Sequence, residues 1–153
     1  MLLSEVFLPE FIKFGITSTN KADLFEEMVE HFCSVTKLDV KTEVLKALDE
    51  REAKMSTGIQ HGIAIPHGKT IAVDKVYGVI GVSEKGIDYD SLDGQAVHVV
   101  LMILAPPVQA ESHLHLLQRM AVVLRNPSFY TDIMQAKNAQ AVFDILTKYE
   151  SEL

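Results

Sequence analysis

The sequence predicts an α/β fold: a three-layer sandwich with a central mixed β-sheet and helices on both faces. Three observations predict it. Helical spacing of apolar residues governs the first third of the chain. Two segments further on, Val76 to Val82 and Val97 to Leu104, are apolar almost throughout, as strands covered on both faces are. Helical spacing then returns to the C-terminus. At 153 residues the chain is long enough for one proper core, and no repeat, low-complexity tract or long linker interrupts it. Residues 1–153 are therefore read as a single domain.

Each element follows from local chemistry. Leu2 to Phe14 is apolar with Pro9 in its middle, which predicts short strands or turns rather than a helix. Ser18, Thr19 and Asn20 offer a cap for a first helix, in which Leu24, Met28, Phe32 and Val35 recur at helical spacing. Asp39 can cap a second helix with Val44, Leu45 and Leu48 on its apolar side. That helix ends in the charged run from Asp49 to Lys54. The stretch from Ser56 to Thr70 follows, STGIQHGIAIPHGKT, and only Ile63-Ala64-Ile65 within it reads as strand. Between the two long apolar strands, residues 85–90 and Asp93-Gly94 have turn chemistry. Pro106 and Pro107 close the second strand, and a helix is expected from about Ala110 to Arg125, stopped by Asn126-Pro127. Helical segments around Ser128 to Ala136 and Ala139 to Tyr149 complete the chain.

Composition excludes several classes. A formal net charge of −7 argues against nucleic-acid binding, which needs a basic surface, although a few donors can still build a local phosphate site. The apolar run from Val97 to Pro107 is about half of what crosses a bilayer. The N-terminus lacks the basic segment of a signal peptide and carries Glu5 and Glu10 early, so no membrane insertion and a cytoplasmic location are expected. A single cysteine, Cys33, rules out an internal disulfide and fits a reducing compartment. It lies among apolar residues of the first helix and reads as a structural thiol.

The six histidines separate by context. His31 and His98, beside Phe32 and at a strand start, read as structural. In Ser112-His113-Leu114-His115-Leu116-Leu117, about 100° per residue places His113 in the arc of Leu117, Met120, Ala121 and Leu124, and His115 on the opposite side. His113 thus points inward, in a first turn whose free N–H groups favour anions. Spacing alone leaves it open whether His113 serves a site or is a core histidine bonded to a carbonyl. His67 stands between Pro66, which stiffens the chain, and Gly68, which removes a side chain that could block approach. A rigidly presented neutral imidazole is a competent nucleophile near neutral pH, and its N–P bond can pass a phosphoryl group on. A glycine-rich turn with a hydrogen-bonding histidine is the alternative.

Metal chemistry is the rival. His61, His67 and His113 could supply three zinc ligands, as in a zinc-dependent hydrolase. Their spacing matches neither helical His-x3-His nor a CxxC knuckle, and no carboxylate accompanies them in the loop. A serine hydrolase lacks its G-x-S-x-G elbow.

Arg51-Glu52, Ser56-Thr57-Gly58-Ile59 and Gly62-Ile63-Ala64-Ile65-Pro66-His67-Gly68 together resemble the phosphorylation motif of enzyme IIA domains of the bacterial phosphoenolpyruvate-dependent phosphotransferase system, of the mannitol/fructose/nitrogen-regulatory type. Asp88 to Gln95, the apolar strand with Ala105-Pro106-Pro107, and Ser112 to Leu117 extend the resemblance over essentially the whole chain. It implies that His67 is the phosphoryl acceptor, that His113 is the second active-site histidine, and that Arg51 stabilises the phosphate through its guanidinium fork. Thr57 falls at a hydroxyl-bearing position that could hydrogen-bond phosphate. His61 stands where the family more often has a small or amide residue, and no role is carried onto it.

The resemblance implies no cofactor and no metal. The implied donor is the phosphocarrier protein HPr or an HPr-like paralogue, docking on an apolar rim to which Ile59, Ile63 and Ile65 are candidates, either as rim or as the wall beneath. The implied acceptor is a IIB domain or a regulatory target protein. With no IIB, IIC or HPr-like module attached, a nitrogen-regulatory role is expected ahead of a sugar-specific enzyme IIA feeding a IIB/IIC transporter.

Overall fold

The computed structural model describes residues 1–153 and places a six-stranded mixed sheet between two helical layers. The N-terminal segment holds the expected turn and short strand but opens on a turn of helix that was not expected. A single helical turn, α1 (Leu3–Val6), and a 3₁₀ turn (Pro9–Phe11) precede strand β1 (Ile12–Phe14). Pro9 begins its turn, where a missing N–H costs nothing. Helices α2 (Lys21–Thr36) and α3 (Lys41–Glu52) follow. Asn20 caps α2 by accepting the Asp23 N–H at 2.9 Å. Asp39 does not cap α3: Val40 occupies the cap position and no side chain closes that end.

The histidine-bearing stretch forms three short strands, β2 (Gly58–Gln60), β3 (Ile63–Ala64) and β4 (His67–Lys69), not a loop around one segment. The two long strands are β5 (Tyr77–Ile87) and β6 (Val97–Ala105). β5 therefore runs through Lys85 to Ile87, where turn chemistry is expected. Gly86, at φ 94°, absorbs a register shift there and the strand continues. Helices α4 (Ala110–Leu124), α5 (Pro127–Gln135) and α6 (Ala139–Ser151) close the chain. Asn126-Pro127 both ends α4 and starts α5: Asn126 accepts the Ser128 N–H at 3.0 Å, and Pro127 takes the first helical position.

Strand order is β1-β5-β6-β3-β2, with β4 also paired to β6. β6 is antiparallel to β5 and parallel to β3 and β4. Its alternation explains why both faces are apolar. Val99, Leu101, Ile103 and Ala105 join the core under α1, α4, α5 and α6, while Val100, Met102 and Leu104 join the core under α2 and α3. Burying one such side chain is worth about 1.5–3 kcal/mol. Glu150 ties the first layer together, because its carboxylate accepts the Leu3 and Ser4 N–H groups and Arg119 Nε at 3.2 Å. That contact fixes α4, the helix that carries His113, against both ends of the chain. No helix is long and apolar enough to cross a membrane.

Candidate active site

The site lies at the sheet edge where both helical layers reach β4. Gly68 explains how α3 comes so close: a Cβ there would stand 3.0 Å from the Ala47 carbonyl carbon and 3.0 Å from its Cβ. The missing side chain thus makes room for α3, and Gly68 also lines the cleft itself. Alternation along β4 sends His67 and Lys69 the other way, toward α4. The resulting cleft, about 360 Å³, is lined from α3 by Glu50 and Arg51, just beyond its end by Lys54, from β4 by His67, Gly68 and Lys69, and from α4 by His113.

His67 is held at both ring nitrogens. Nδ1 lies 2.8 Å from the Ile65 carbonyl oxygen, which can only accept, so Nδ1 carries the proton. Nε2 therefore bears the lone pair, and Arg51 Nε donates to it at 3.2 Å. Arg51 is anchored in turn by donating from Nη1 to the Met55 carbonyl at 2.9 Å. Burial lowers the His67 pKa below its ordinary value, the Ile65 carbonyl partly restores it, and the Arg51 charge lowers it further. The ring is neutral at neutral pH, with Nδ1–H committed to the carbonyl and the Nε2 lone pair engaged only by Arg51.

His113 meets His67 edge to face, with ring centroids 5.3 Å apart and planes at 77°. It is only 2% exposed, and its Nε2 has no hydrogen-bond partner. Burial, with the neighbouring His67 and Lys69, lowers its pKa to about 4. An unpaired buried polar nitrogen costs about 1–3 kcal/mol, so its retention beside a nucleophilic ring needs an explanation. The inward arc of α4 is His113, Leu116, Met120 and Val123. The sequence placed His113 and Met120 correctly; Leu117 and Leu124 pack at the margin of the core, Ala121 is exposed, and the buried Leu116 and Val123 were missed.

The remaining candidates lie elsewhere. Thr57 does not line the cleft: its hydroxyl donates to Glu52 Oε1 at 2.7 Å and lies 2.7 Å from the Tyr89 hydroxyl, with the residue 2% exposed. His61 sits exposed at the β2–β3 turn with φ 54°, its N–H donating to Asp93 Oδ2 at 3.0 Å. No three metal-ligating side chains gather anywhere, so the zinc reading has no geometry behind it. His31 and His98 bond the Glu10 and Ser83 carbonyls, and His115 is exposed. Ile63 is buried and Ile59 and Ile65 pack against the core, which makes them wall, not rim.

Sequence reasoning missed Lys54 and Lys69. Both had a signal. Lys69 follows His67 by two residues in extended chain, and Lys54 follows Arg51 by three beyond a helix end, spacings that share a face. Three cations, an unpaired imidazole nitrogen and a poised imidazole lone pair can bind an anion and attack it.

Comparison with known proteins agrees with this chemistry. The family model described as phosphoenolpyruvate-dependent sugar phosphotransferase system, EIIA 2, matches residues 5–149. The chain is 35% identical over 150 residues to the fructose-specific EIIABC component of Bacillus subtilis, covering 98% of this chain but 24% of that much longer protein. It is 30% identical over 146 residues to a nitrogen regulatory protein of Bradyrhizobium diazoefficiens, covering 95% of each. The crystal structure of nitrogen regulatory protein IIA-Ntr from Neisseria meningitidis superposes with a TM-score of 0.86 at 27% identity, covering 94% of this chain and 98% of that one. IIA mannitol from Escherichia coli shares the fold, with a TM-score of 0.76 at 20% identity over 92% of this chain and 98% of that one. The chain belongs to the EIIA 2 family of the phosphoenolpyruvate-dependent sugar phosphotransferase system, phosphoryl carriers that are phosphorylated on histidine and transfer the phosphoryl group.

Proposed function

We propose that this chain is a phosphocarrier of the nitrogen-regulatory type in which His67 Nε2 accepts a phosphoryl group from histidine-phosphorylated HPr or an HPr-like protein. The observation that carries this reading is the double engagement of His67. Its Nδ1–H is fixed on the Ile65 carbonyl, leaving Nε2 to face the cleft beside Arg51 and His113. In the transfer, the Nε2 lone pair forms the new N–P bond as the donor's N–P bond breaks, and that electron pair returns to the donor imidazole. The Nδ1 proton stays where it is. The protein's contribution is alignment and charge neutralisation. Arg51 shifts its donors from the ring to the phosphoryl oxygens, and His113 donates from Nε2 to one of them, ending its unpaired state. Lys54 and Lys69 add positive charge at the mouth.

The donor's docking face takes in exposed apolar residues beside the cleft. Met55, Ile71 and Val108 are 59%, 90% and 91% exposed. Ile71 and Val108 follow the ends of the neighbouring parallel strands β4 and β6. A donor with basic residues suits an acidic chain of net charge −7. The nitrogen-regulatory assignment is supported by the higher similarity to IIA-Ntr than to IIA mannitol, 27% against 20% identity. In that role the phosphorylation state governs binding to target proteins in the cytoplasm. A sugar-uptake role, with a IIB domain as acceptor, is favoured by the 35% identity to the fructose-specific component. Pull-down from cytoplasmic extract with the unphosphorylated and phosphorylated forms separates the two. Capture of a IIB domain that accepts the phosphoryl group supports uptake, and capture of a protein that takes none supports regulation.

A further inference from the structure

Glu52 follows Arg51 at the end of α3 and touches neither histidine, yet its carboxylate is among the most heavily engaged groups near the cleft. Oε2 accepts the Thr57 N–H at 2.7 Å and Lys21 Nζ at 3.0 Å. Oε1 accepts the Thr57 hydroxyl at 2.7 Å and lies 3.4 Å from the Tyr89 hydroxyl. The side chain is only 7% exposed. A carboxylate this buried is costly unless paired and hydrogen-bonded, and here it has one cation and several donors. Tyr89 itself is wholly buried and packs edge to face on Phe25, with centroids 6.0 Å apart, so the network is anchored in the core under α2.

What this network holds is the short connection from α3 to β2. Glu52 stands at one end and Thr57 at the other, and the carboxylate closes the loop between them. Inside that loop is Met55, whose carbonyl receives Arg51 Nη1 at 2.9 Å. A guanidinium is planar and rigid, so fixing Nη1 also fixes the direction of Nε–H. That N–H is the one that reaches His67 Nε2 at 3.2 Å.

We infer that Glu52 is a positioning residue for phosphoryl transfer: by closing the loop through Thr57 it sets the Met55 carbonyl, which in turn aims Arg51 at His67 Nε2. This rests on the role proposed above for Arg51. It assigns the buried acidic partner of the arginine a part in the chemistry that no contact with the phosphoryl group would reveal.

A double-mutant cycle on the full chain tests it, with phospho-HPr as donor and the rate of phosphoryl uptake as readout. Arg51→Ala is expected to slow uptake by about 10- to 100-fold and Glu52→Ala by about 10-fold through kcat, with KM for the donor unchanged. The double variant is expected to match Arg51→Ala within about two-fold, because Glu52 acts through Arg51. Glu52→Gln keeps an acceptor for the Thr57 N–H, and the Thr57 hydroxyl can rotate to accept from the amide, so it should retain at least about a third of the rate. In the unphosphorylated protein, the Arg51 Nε–H resonance is expected to move in Glu52→Ala and to hold in Glu52→Gln. If Glu52→Ala does not fold, Thr57→Val cuts the hydroxyl link and should show the same non-additivity with a smaller loss, about three-fold.

Multiplicative losses in the double variant would overturn the inference, as would an unmoved Arg51 resonance in Glu52→Ala. Uptake that depends on Arg51 but ignores Glu52→Ala and Thr57→Val defeats the positioning role alone. Uptake indifferent to Arg51→Ala defeats the role of Arg51 and this inference together.

Discussion

Replacing His113 by leucine separates a functional histidine from a structural one, because the two roles move stability and rate in different directions. The substitution removes a buried Nε2 that has no partner, relieving a penalty of about 1–3 kcal/mol. It also loses the edge-to-face contact with His67 at 5.3 Å, worth about 0.5–1.5 kcal/mol. Leucine is of similar size, so the cavity term is small. The net change lies between about 0.5 kcal/mol of loss and about 2.5 kcal/mol of gain. At 153 residues each kcal/mol shifts Tm by about 2–4 °C. Thermal unfolding of His113→Leu should therefore occur no more than about 2 °C below the parent temperature, or above it. Phosphoryl uptake from phospho-HPr should instead fall about 100-fold or more, the usual effect of removing one donor from a developing oxyanion. A variant destabilised by more than about 2 kcal/mol with its uptake intact would refute the reasoning and make His113 a packing residue.

Two further outcomes follow from the same geometry. The His113 pKa is lowered from 6.5 to about 4 by burial, so the unfolded chain takes up a proton there before the native one does. Its contribution to stability is fully present above pH 6.5 and is lost progressively as pH falls toward 4, by about 3 kcal/mol in all, and urea titrations across that window should show a shallower decline in His113→Leu than in the parent. Equal slopes would count against the neutral buried imidazole. Gly68→Ala places a Cβ 3.0 Å from the backbone of Ala47, so α3 must shift; a loss of about 1–2 kcal/mol in urea unfolding is expected, where an unobstructed strand glycine would gain from alanine. A stabilised Gly68→Ala would contradict the close approach of α3.

How much of this was legible in the sequence depends on whether a residue's role is local. α2 and α4 were readable because their apolar stripes recur along one element, and the long strands because β6 faces a core on each side. Helical phase alone turned His113 inward. The helical character of α1 was not readable: four residues, Leu3–Val6, are too few to show a period, and the Glu150 carboxylate that caps their N–H groups is 147 residues away from Leu3. Asn126-Pro127 reads equally as a stop and as a start, and in the fold it is both. Two contacts at the site lie outside what the motif shows. A Cβ on Gly68 would meet Ala47 of α3, which alternation decides only once β4 is known to be a strand, and Thr57, just before β2, is turned to Glu52 and Tyr89 by its hydrogen bonds. Residues of the motif thus mark the site without each lining it.

The most direct test is to incubate the protein with phosphoenolpyruvate, enzyme I and HPr and to map any phosphoryl group by intact mass and by the acid lability of the bond. One acid-labile group per chain is expected, attached at Nε2 of His67 and absent from His67→Ala. Full labelling of His67→Ala, or a group attached at Nδ1, would contradict the account.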